Sequence, residues 1–318
     1  MKLRYTISIF LIICYCSYSY SQLSTLTFKH LTFKQGLSNS KINVIYKDSQ
    51  GYVWFGTEDG LNKFDGYDIT TYRYNPNDSN SLATNQINCL FENSKKQLIV
   101  GDSRRMSIYD RRFDNFRPIY IKDTLGNIIG GKVRSIVEDK NGNYWLALGY
   151  KGLIWLDRNF RTLKMYSYAK DLNNIHKCYL DRKGRIIVFF NSYGLFEFDK
   201  NTQKFRNIYK NPDVSDYQNC VSTSFVDNND NYWIGLNNGK VSKISIQKND
   251  TLIEHFFQAT GNRVSCISQD KEGNIWVATE NEGIFNLSKN GIEFKNYKKN
   301  ELQNTLSILS ISRLYCII

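Results

Sequence analysis

Asp48-Ser49-Gln50-Gly51-Tyr52-Val53-Trp54-Phe55-Gly56-Thr57 is the clearest of six copies of one phrase, Asp-x-x-Gly-x-x-Trp-x-Gly, and its recurrence decides the fold. The other copies start at Asn93, Asp139, Asp181, Asp227 and Asp270, at intervals of 45, 46, 42, 46 and 43 residues. A fixed period of roughly 20 to 50 residues means a solenoid, a propeller or an array. Each unit reads as four short β runs, in the first copy Ile42 to Lys47, Tyr52 to Thr57, Leu61 to Phe64 and Ile69 to Tyr74. The runs are crowded with Val, Ile, Tyr, Phe and Trp and are separated by polar or Gly-containing turns, so the unit is a small antiparallel sheet.

The phrase assigns a structural task to each of its positions. Asp48, Asp139, Asp227 and Asp270, with Gly51, Gly142 and Gly273, make tight hairpin turns in which Gly supplies positive φ and the carboxylate accepts local backbone N–H groups. Trp54, Trp145, Trp233 and Trp276 follow at one offset, with Ile99 and Ile187 there in the two degenerate copies, and Gly56 and Gly235 close the phrase. A large side chain in the second strand of every sheet fills the gap between neighbours, and a single sheet cannot bury both faces. The expectation is an all-β propeller of four-stranded antiparallel blades. A carbohydrate platform would also use aromatics, but an in-register Trp series is structural. The Gly-His and Trp-Asp signature of WD40 repeats is absent in register.

The chain ends refine this. Lys2 and Arg4, the apolar run Ile7 to Cys16 and the small residues before Gln22 read as a secretory leader over 1–21, too short to span a bilayer core of about 30 Å. A lipoprotein reading, with cleavage before Cys14, lacks the small residues it needs. The segment from Leu26 to Phe33 reads as an orphan strand that completes the last blade. Ile308-Leu309-Ser310-Ile311 matches Val264-Ser265-Cys266-Ile267, yet Leu314 stands where the next turn needs Asp. The expected propeller over 22–318 therefore has seven blade positions, six complete and the last partial: repeats near 36–80, 81–125, 126–170, 171–213, 214–258 and 259–300, with a truncated seventh over 301–318.

Composition fits a secreted all-β domain, with 41% hydrophobic and 14% aromatic residues. Removing the leader leaves Cys89, Cys178, Cys220, Cys266 and Cys316, an odd number that argues against a disulfide framework; Cys89 and Cys266 sit at one strand offset as small core residues. The net charge of +12 suits anionic ligands, but the paired cations Lys95-Lys96, Arg111-Arg112 and Lys298-Lys299 are scattered, as solvated blade edges would be. Nucleic acid is not expected for an exported chain. His30, His176 and His255 have no metal-ligand spacing, and no nucleophile elbow, Walker loop or dinucleotide fingerprint occurs, so neither a cofactor, a metal nor a catalytic residue is expected.

The stretch from Gly36-Leu37-Ser38-Asn39-Ser40-Lys41-Ile42-Asn43-Val44 through the opening phrase to Gly60-Leu61 and Phe64-Asp65-Gly66-Tyr67 resembles the opening of the two-component regulator propeller family. The resemblance covers about residues 26 to 311. It implies the periplasmic sensor region of Bacteroidetes hybrid two-component systems, which signal by phosphorelay, sense glycan-derived oligosaccharides and control utilisation genes. Relatives carry a second propeller, a β-sandwich, a membrane helix, a kinase and a receiver, all lacking here. The resemblance thus implies an oligosaccharide or other small exported ligand, anionic or neutral, membrane attachment only through missing C-terminal regions, and dimerisation at most in full-length relatives.

No family motif marks ligand residues, so site candidates follow topology: propeller ligands sit at the channel mouth, on the loops joining second and third strands. These loops hold Glu58 and Asp59, Arg104 and Arg105, Tyr150 and Lys151, Tyr193, Asn237 and Asn238, and Glu280. Aromatic and guanidinium groups there suit sugar stacking and pairing with carboxylate or sulfate. Two other functions remain open: a protein–protein interaction module, and an exported lyase resembling streptogramin lyases.

Overall fold

A computed structural model describes residues 31, 33–123, 125–168, 174–210, 216–247, 250–258, 262–290 and 294–297. They form six four-stranded antiparallel sheets, each built from four strands consecutive in sequence. In the first the strands are Ile42–Lys47, Val53–Thr57, Gly60–Phe64 and Ile69–Tyr72. The first strands of the six sheets, Ile42–Lys47, Ile87–Glu92, Val133–Glu138, Ile175–Leu180, Val221–Val226 and Val264–Gln269, approach one another in succession and are the inner strands of radially arranged blades.

The Asp-x-x-Gly-x-x-Trp spacing has a hydrogen-bonding cause. In blade one Asp48 Oδ1 accepts the N–H groups of Gln50 and Tyr52, each at 3.0 Å, and its Oδ2 accepts the Trp54 indole N–H at 2.9 Å. The same indole bond joins Trp145 to Asp139 (3.2 Å), Trp233 to Asp227 (2.9 Å) and Trp276 to Asp270 (2.8 Å). One buried carboxylate therefore closes the turn and satisfies a buried indole donor that would otherwise carry a desolvation cost. In the degenerate copies the freed atoms reach across to the next blade, Asn93 Nδ2 donating to Tyr144 Oη at 3.0 Å and Asp181 Oδ2 accepting Tyr232 Oη at 3.3 Å; within its own turn Asp181 Oδ2 also accepts Arg185 Nε at 2.6 Å.

The turn glycine adopts positive φ, as at Gly51 (93°), Gly142 (77°) and Gly273 (93°), and where the copies lack it Lys96 (61°) and Asp230 (59°) hold the same left-handed conformation. The closing glycine has a different reason. A Cβ on Gly101 would lie 2.5 Å from Val133 Cγ1, and one on Gly235 2.5 Å from Val264 Cγ1, so the second strand of a blade meets the inner strand of the next through bare backbone. Trp54 packs with Ile87, Leu90 and Val100 of blade two, and Trp145 with Ile175, Cys178 and Val188 of blade four, which places the core between blades.

The described residues form six blades, not the expected seven with a partial last one. Among them, inner strands pack in sequence from blade one to blade six, and no comparable approach joins blade six to blade one. The seventh position rested on the orphan strand expected from Leu26 to Phe33 and on a four-residue match at Ile308 to Ile311, and a sequence match with no turn and Trp strand after it does not make a blade; residues 301–318 lie outside the described residues. So does most of the strand expected from Leu26 to Phe33, while Phe33 itself opens a short 3-10 turn, Phe33–Gln35. The leader also falls outside them. Cys89, Cys178 and Cys266 are buried free thiols and Cys220 is a half-buried one.

Candidate functional site

The loops between second and third strands all come to one end of the propeller, because each is tied to the residue that precedes the inner strand of its own blade. Backbone N–H groups of Glu58, Gly149, Asn191, Asn237 and Glu280 donate to the carbonyls of Lys41 (3.2 Å), Lys132 (2.8 Å), Asn174 (3.2 Å), Cys220 (3.1 Å) and Arg263 (3.0 Å). Blade two makes the equivalent tie with side chains, the Ser103 hydroxyl donating to Gln86 Oε1. The result is a mouth of paired positions: Lys41 with Glu58 (3.3 Å), Gln86 with Ser103, and Arg263 with Glu280 (3.8 Å).

Below the mouth, every inner strand carries an irregularity of register at its second residue. The extra residues are Asn43, Asn88, Arg134, His176, Ser222 and Ser265, all polar, whereas the residues before them, Ile42, Ile87, Val133, Ile175, Val221 and Val264, are apolar. A bulge bends its strand and re-aims one side chain, which is how bulges serve sites at sheet ends. Two of these side chains bind the neighbouring blade: Asn43 Nδ2 donates to Ile87 O at 3.0 Å, and Ser222 Oγ to Val264 O at 2.7 Å. Asn88 instead donates to Ser103 Oγ at 3.1 Å in its own blade. Sequence reasoning missed this ring; its signal is a polar residue second in six otherwise apolar strand starts.

The expected site residues divide. Glu58 faces the mouth: burial pushes its carboxyl up, but donation from Gln86 and Asn43 and the Lys41 ammonium outweigh this and hold it below the ordinary carboxylate range. Arg104 is exposed, its backbone N–H anchored on Asp102 Oδ1 at 2.7 Å. Tyr150 is 71% exposed, at φ 60°, beside exposed Lys151. Glu280 pairs with Arg263, and Asn238 donates to Asn219 at 3.1 Å.

Four others serve the scaffold. Asp59 turns to Arg73 (3.0 Å) and Asn85 (3.2 Å), and Arg105 is held by Tyr120 Oη (3.1 Å) and the Ser81 carbonyl (3.3 Å). Tyr193 packs on Tyr168 at 6.2 Å between ring centroids. Asn237 is buried and donates to Tyr217 O at 2.8 Å. The polar groups of Asp59, Arg105 and Asn237 are satisfied by partners outside their own loops, because a loop this short cannot satisfy them internally. Asp102, also buried, accepts from Ala83, Arg104 and Arg105, and burial pushes its carboxyl up.

Comparison with known proteins accords with this geometry. The family model for the two component regulator propeller matches residues 36–59, 127–150 and 259–281, each spanning an inner strand and the following turn and Trp strand or part of them. Over 63 residues the chain is 48% identical to histidine kinase P4 of Formosa agariphila, an alignment that takes in 20% of this chain and 5% of the kinase. It superposes on the extracellular domain of a putative hybrid two component system from B. thetaiotaomicron with a TM-score of 0.73 and 22% identity, over 90% of this chain and 39% of that one. It superposes on virginiamycin B lyase from Staphylococcus aureus with a TM-score of 0.60 and 12% identity, over 82% of this chain and 85% of the lyase. The chain thus spans well under half the length of the kinase and sensor relatives it matches. With the repeated phrase, its buried Asp–Trp bond and three matched repeats together, the chain is similar to the two-component regulator propeller family.

Proposed function

We propose that this chain is an exported, periplasmic ligand-binding propeller of the hybrid two-component kind, recognising an oligosaccharide or another small exported ligand at the channel mouth. The observation that carries this reading is the mouth itself. Six loops unlike one another in sequence are pinned at one end of a repeated scaffold, above a ring of bulged polar side chains. Repetition serves folding, and departure from it serves recognition, because loops on a rigid scaffold can vary without loss of the core. Control of transcription would rest with kinase and receiver regions of a full-length sensor.

A catalytic reading after the lyases has less support. It needs histidine and acid converging at one point, but His176 is on the inner strand of blade four while His255 is on the outer strand of blade five, bonded to Ser242 at 2.7 Å. The test is a calorimetric screen of neutral and acidic oligosaccharides against the wild-type chain and the variants Arg104→Ala and Tyr150→Ala. Saturable binding weakened by both variants supports the mouth. Saturable binding that both variants leave unchanged, or capture of a protein partner with no saccharide bound, would sink it.

A further inference from the structure

Away from the mouth, a groove of about 790 Å³ runs between blades two and three. That volume is in the range of small-molecule sites, roughly 300 to 1,000 Å³. Five cations line it, Lys95, Arg117, Lys122, Arg158 and Arg161, against one carboxylate, Asp123. Asp123 is taken up by its own turn, accepting the N–H groups of Leu125 (2.9 Å) and Asn127 (2.8 Å) and the Asn127 amide (3.1 Å). All five cations are exposed, and among the described residues none of the five charged groups has a hydrogen-bond or ion-pair partner. Several arginines elsewhere in the propeller are matched with acids: Arg73 with Asp59, Arg111 with Asp48 and Glu92, Arg185 with Asp181, Arg206 with Glu197. Like charges left together without counter-charges repel, so this clustering opposes stability unless an anion joins it.

An independent observation lies on the groove wall. The turn Asp157-Arg158-Asn159-Phe160-Arg161 repeats the Asp-x-x-Gly geometry, with Asp157 Oδ1 accepting Asn159 and Arg161 N–H groups at 2.8 Å each. Phenylalanine stands at the glycine position with φ 64°, an outlier for so bulky a residue. Its ring stacks on Tyr144, 4.5 Å between centroids and 17° between planes, and lies along the groove beside Ile108 and Ile119. The turn between third and fourth strands is also left-handed at Gly66, Asp114 and Gln203 in other blades, so what is particular to blade three is the ring placed there. Here the turn brings Arg158 and Arg161 into the groove lining together with Phe160.

We propose that the groove between blades two and three binds a polyanionic saccharide chain, one whose sulfate or carboxylate groups meet the Arg117, Arg158 and Arg161 guanidinium forks while its ring C–H faces lie on Phe160, Ile108 and Ile119. Guanidinium groups pair bidentately with such oxyanions. Gln97, Asn159 and Thr162 along the same walls offer hydroxyl-matching partners. A single-stranded nucleic acid fits less well: it stacks successive bases on free aromatic faces, and the groove offers only one remaining face of Phe160, whose other face lies on Tyr144, and Tyr120, whose ring has the Arg105 guanidinium over it. The site is separate from the mouth and does not depend on the proposal made for it.

The test uses the full chain with four size-matched probes: a sulfated oligosaccharide, an oligogalacturonate, neutral dextran and single-stranded DNA. Binding is measured at low and at physiological salt. The variant Arg117→Glu with Arg161→Glu is compared with a control of equal charge change off the groove, Lys47→Glu with Arg112→Glu. The expectation is salt-sensitive binding of one or both anionic probes, none of dextran, and a loss of about tenfold or more in the groove variant. The sulfated and carboxylated arms tell which oxyanion is taken. Absence of polyanion binding at low salt, equal weakening by the two variants, binding of single-stranded DNA as tight as that of the saccharides, or loss on Arg104→Ala alone would overturn the proposal. If the charge reversal lowers the melting temperature, Arg117→Gln with Arg161→Gln is read in the same way.

Discussion

Replacing Asp270 by asparagine tests the reason for the repeated phrase. Asp270 is 5% exposed; its Oδ1 accepts the Asn274 N–H at 2.7 Å, and its Oδ2 accepts the Asn274 amide at 2.7 Å and the Trp276 indole at 2.8 Å. Asp270→Asn keeps the shape but puts an NH2 group where two donors point. Flipping the amide moves the conflict onto the Asn274 backbone N–H without removing it. Hydrogen bonds to a charged acceptor contribute about 1.5 to 3 kcal/mol each. Two are lost and one buried charge is relieved, so the expected destabilisation is about 2 to 4 kcal/mol.

Urea denaturation followed by far-ultraviolet circular dichroism reads this change, and a cycle with Trp276→Phe isolates the indole bond. A coupling energy of about 1 to 3 kcal/mol is expected. Additivity within about 0.5 kcal/mol would refute the reasoning, since independent sites add to that tolerance. The pH dependence has a definite sign. Burial pushes the Asp270 carboxyl up, but the Trp276 and Asn274 donors outweigh it and hold it below the ordinary carboxylate range. A carboxyl depressed by folding stabilises above its unfolded pKa, about 3.9, and that stability is lost as pH falls through the folded value. The difference between wild type and Asp270→Asn should therefore shrink between pH 6 and pH 3.

Gly101→Ala should destabilise by about 1 to 3 kcal/mol in the same urea assay, as overpacking does, because its Cβ would meet Val133 at 2.5 Å with no flexible atom to give way. Lys96→Gly should be neutral or stabilising by up to about 1 kcal/mol, since the site already holds left-handed backbone, whereas Asp230→Gly also removes the acceptor of the Arg182 N–H at 3.1 Å and should gain less; a loss beyond about 1 kcal/mol in melts of Lys96→Gly would show that its side chain supports the turn. Burial pushes the Cys89 thiol up to about 12 and the Cys178 thiol up to about 11. Peptide-resolved alkylation at pH 8 should therefore label half-buried Cys220 well before Cys89 and Cys178, and equal rates would mean that the inner strands open readily.

The repeat was legible in the sequence because its signals are local. Asp, Gly and Trp within ten residues specify a hairpin, and six copies at a near-constant period specify blades, so strands such as Ile42–Lys47 were located to the residue. The resemblance to the two-component regulator propeller family was legible for the same reason. The blade count was not, because whether a stretch such as Ile308 to Ile311 adds a blade depends on partners that a one-dimensional match does not supply. The site was half legible. Loop membership placed Glu58, Arg104, Tyr150 and Glu280 at one end, but whether a loop side chain faces ligand space or satisfies its own backbone is set by neighbours distant in sequence, as Tyr217 does for Asn237 and Arg73 for Asp59. The bulged ring from Asn43 to Ser265 and the unpaired cations between blades two and three exist only once strands are paired and blades are packed. Register and the juxtaposition of turns 60 residues apart are tertiary quantities, decided by which backbone groups find partners across a blade boundary.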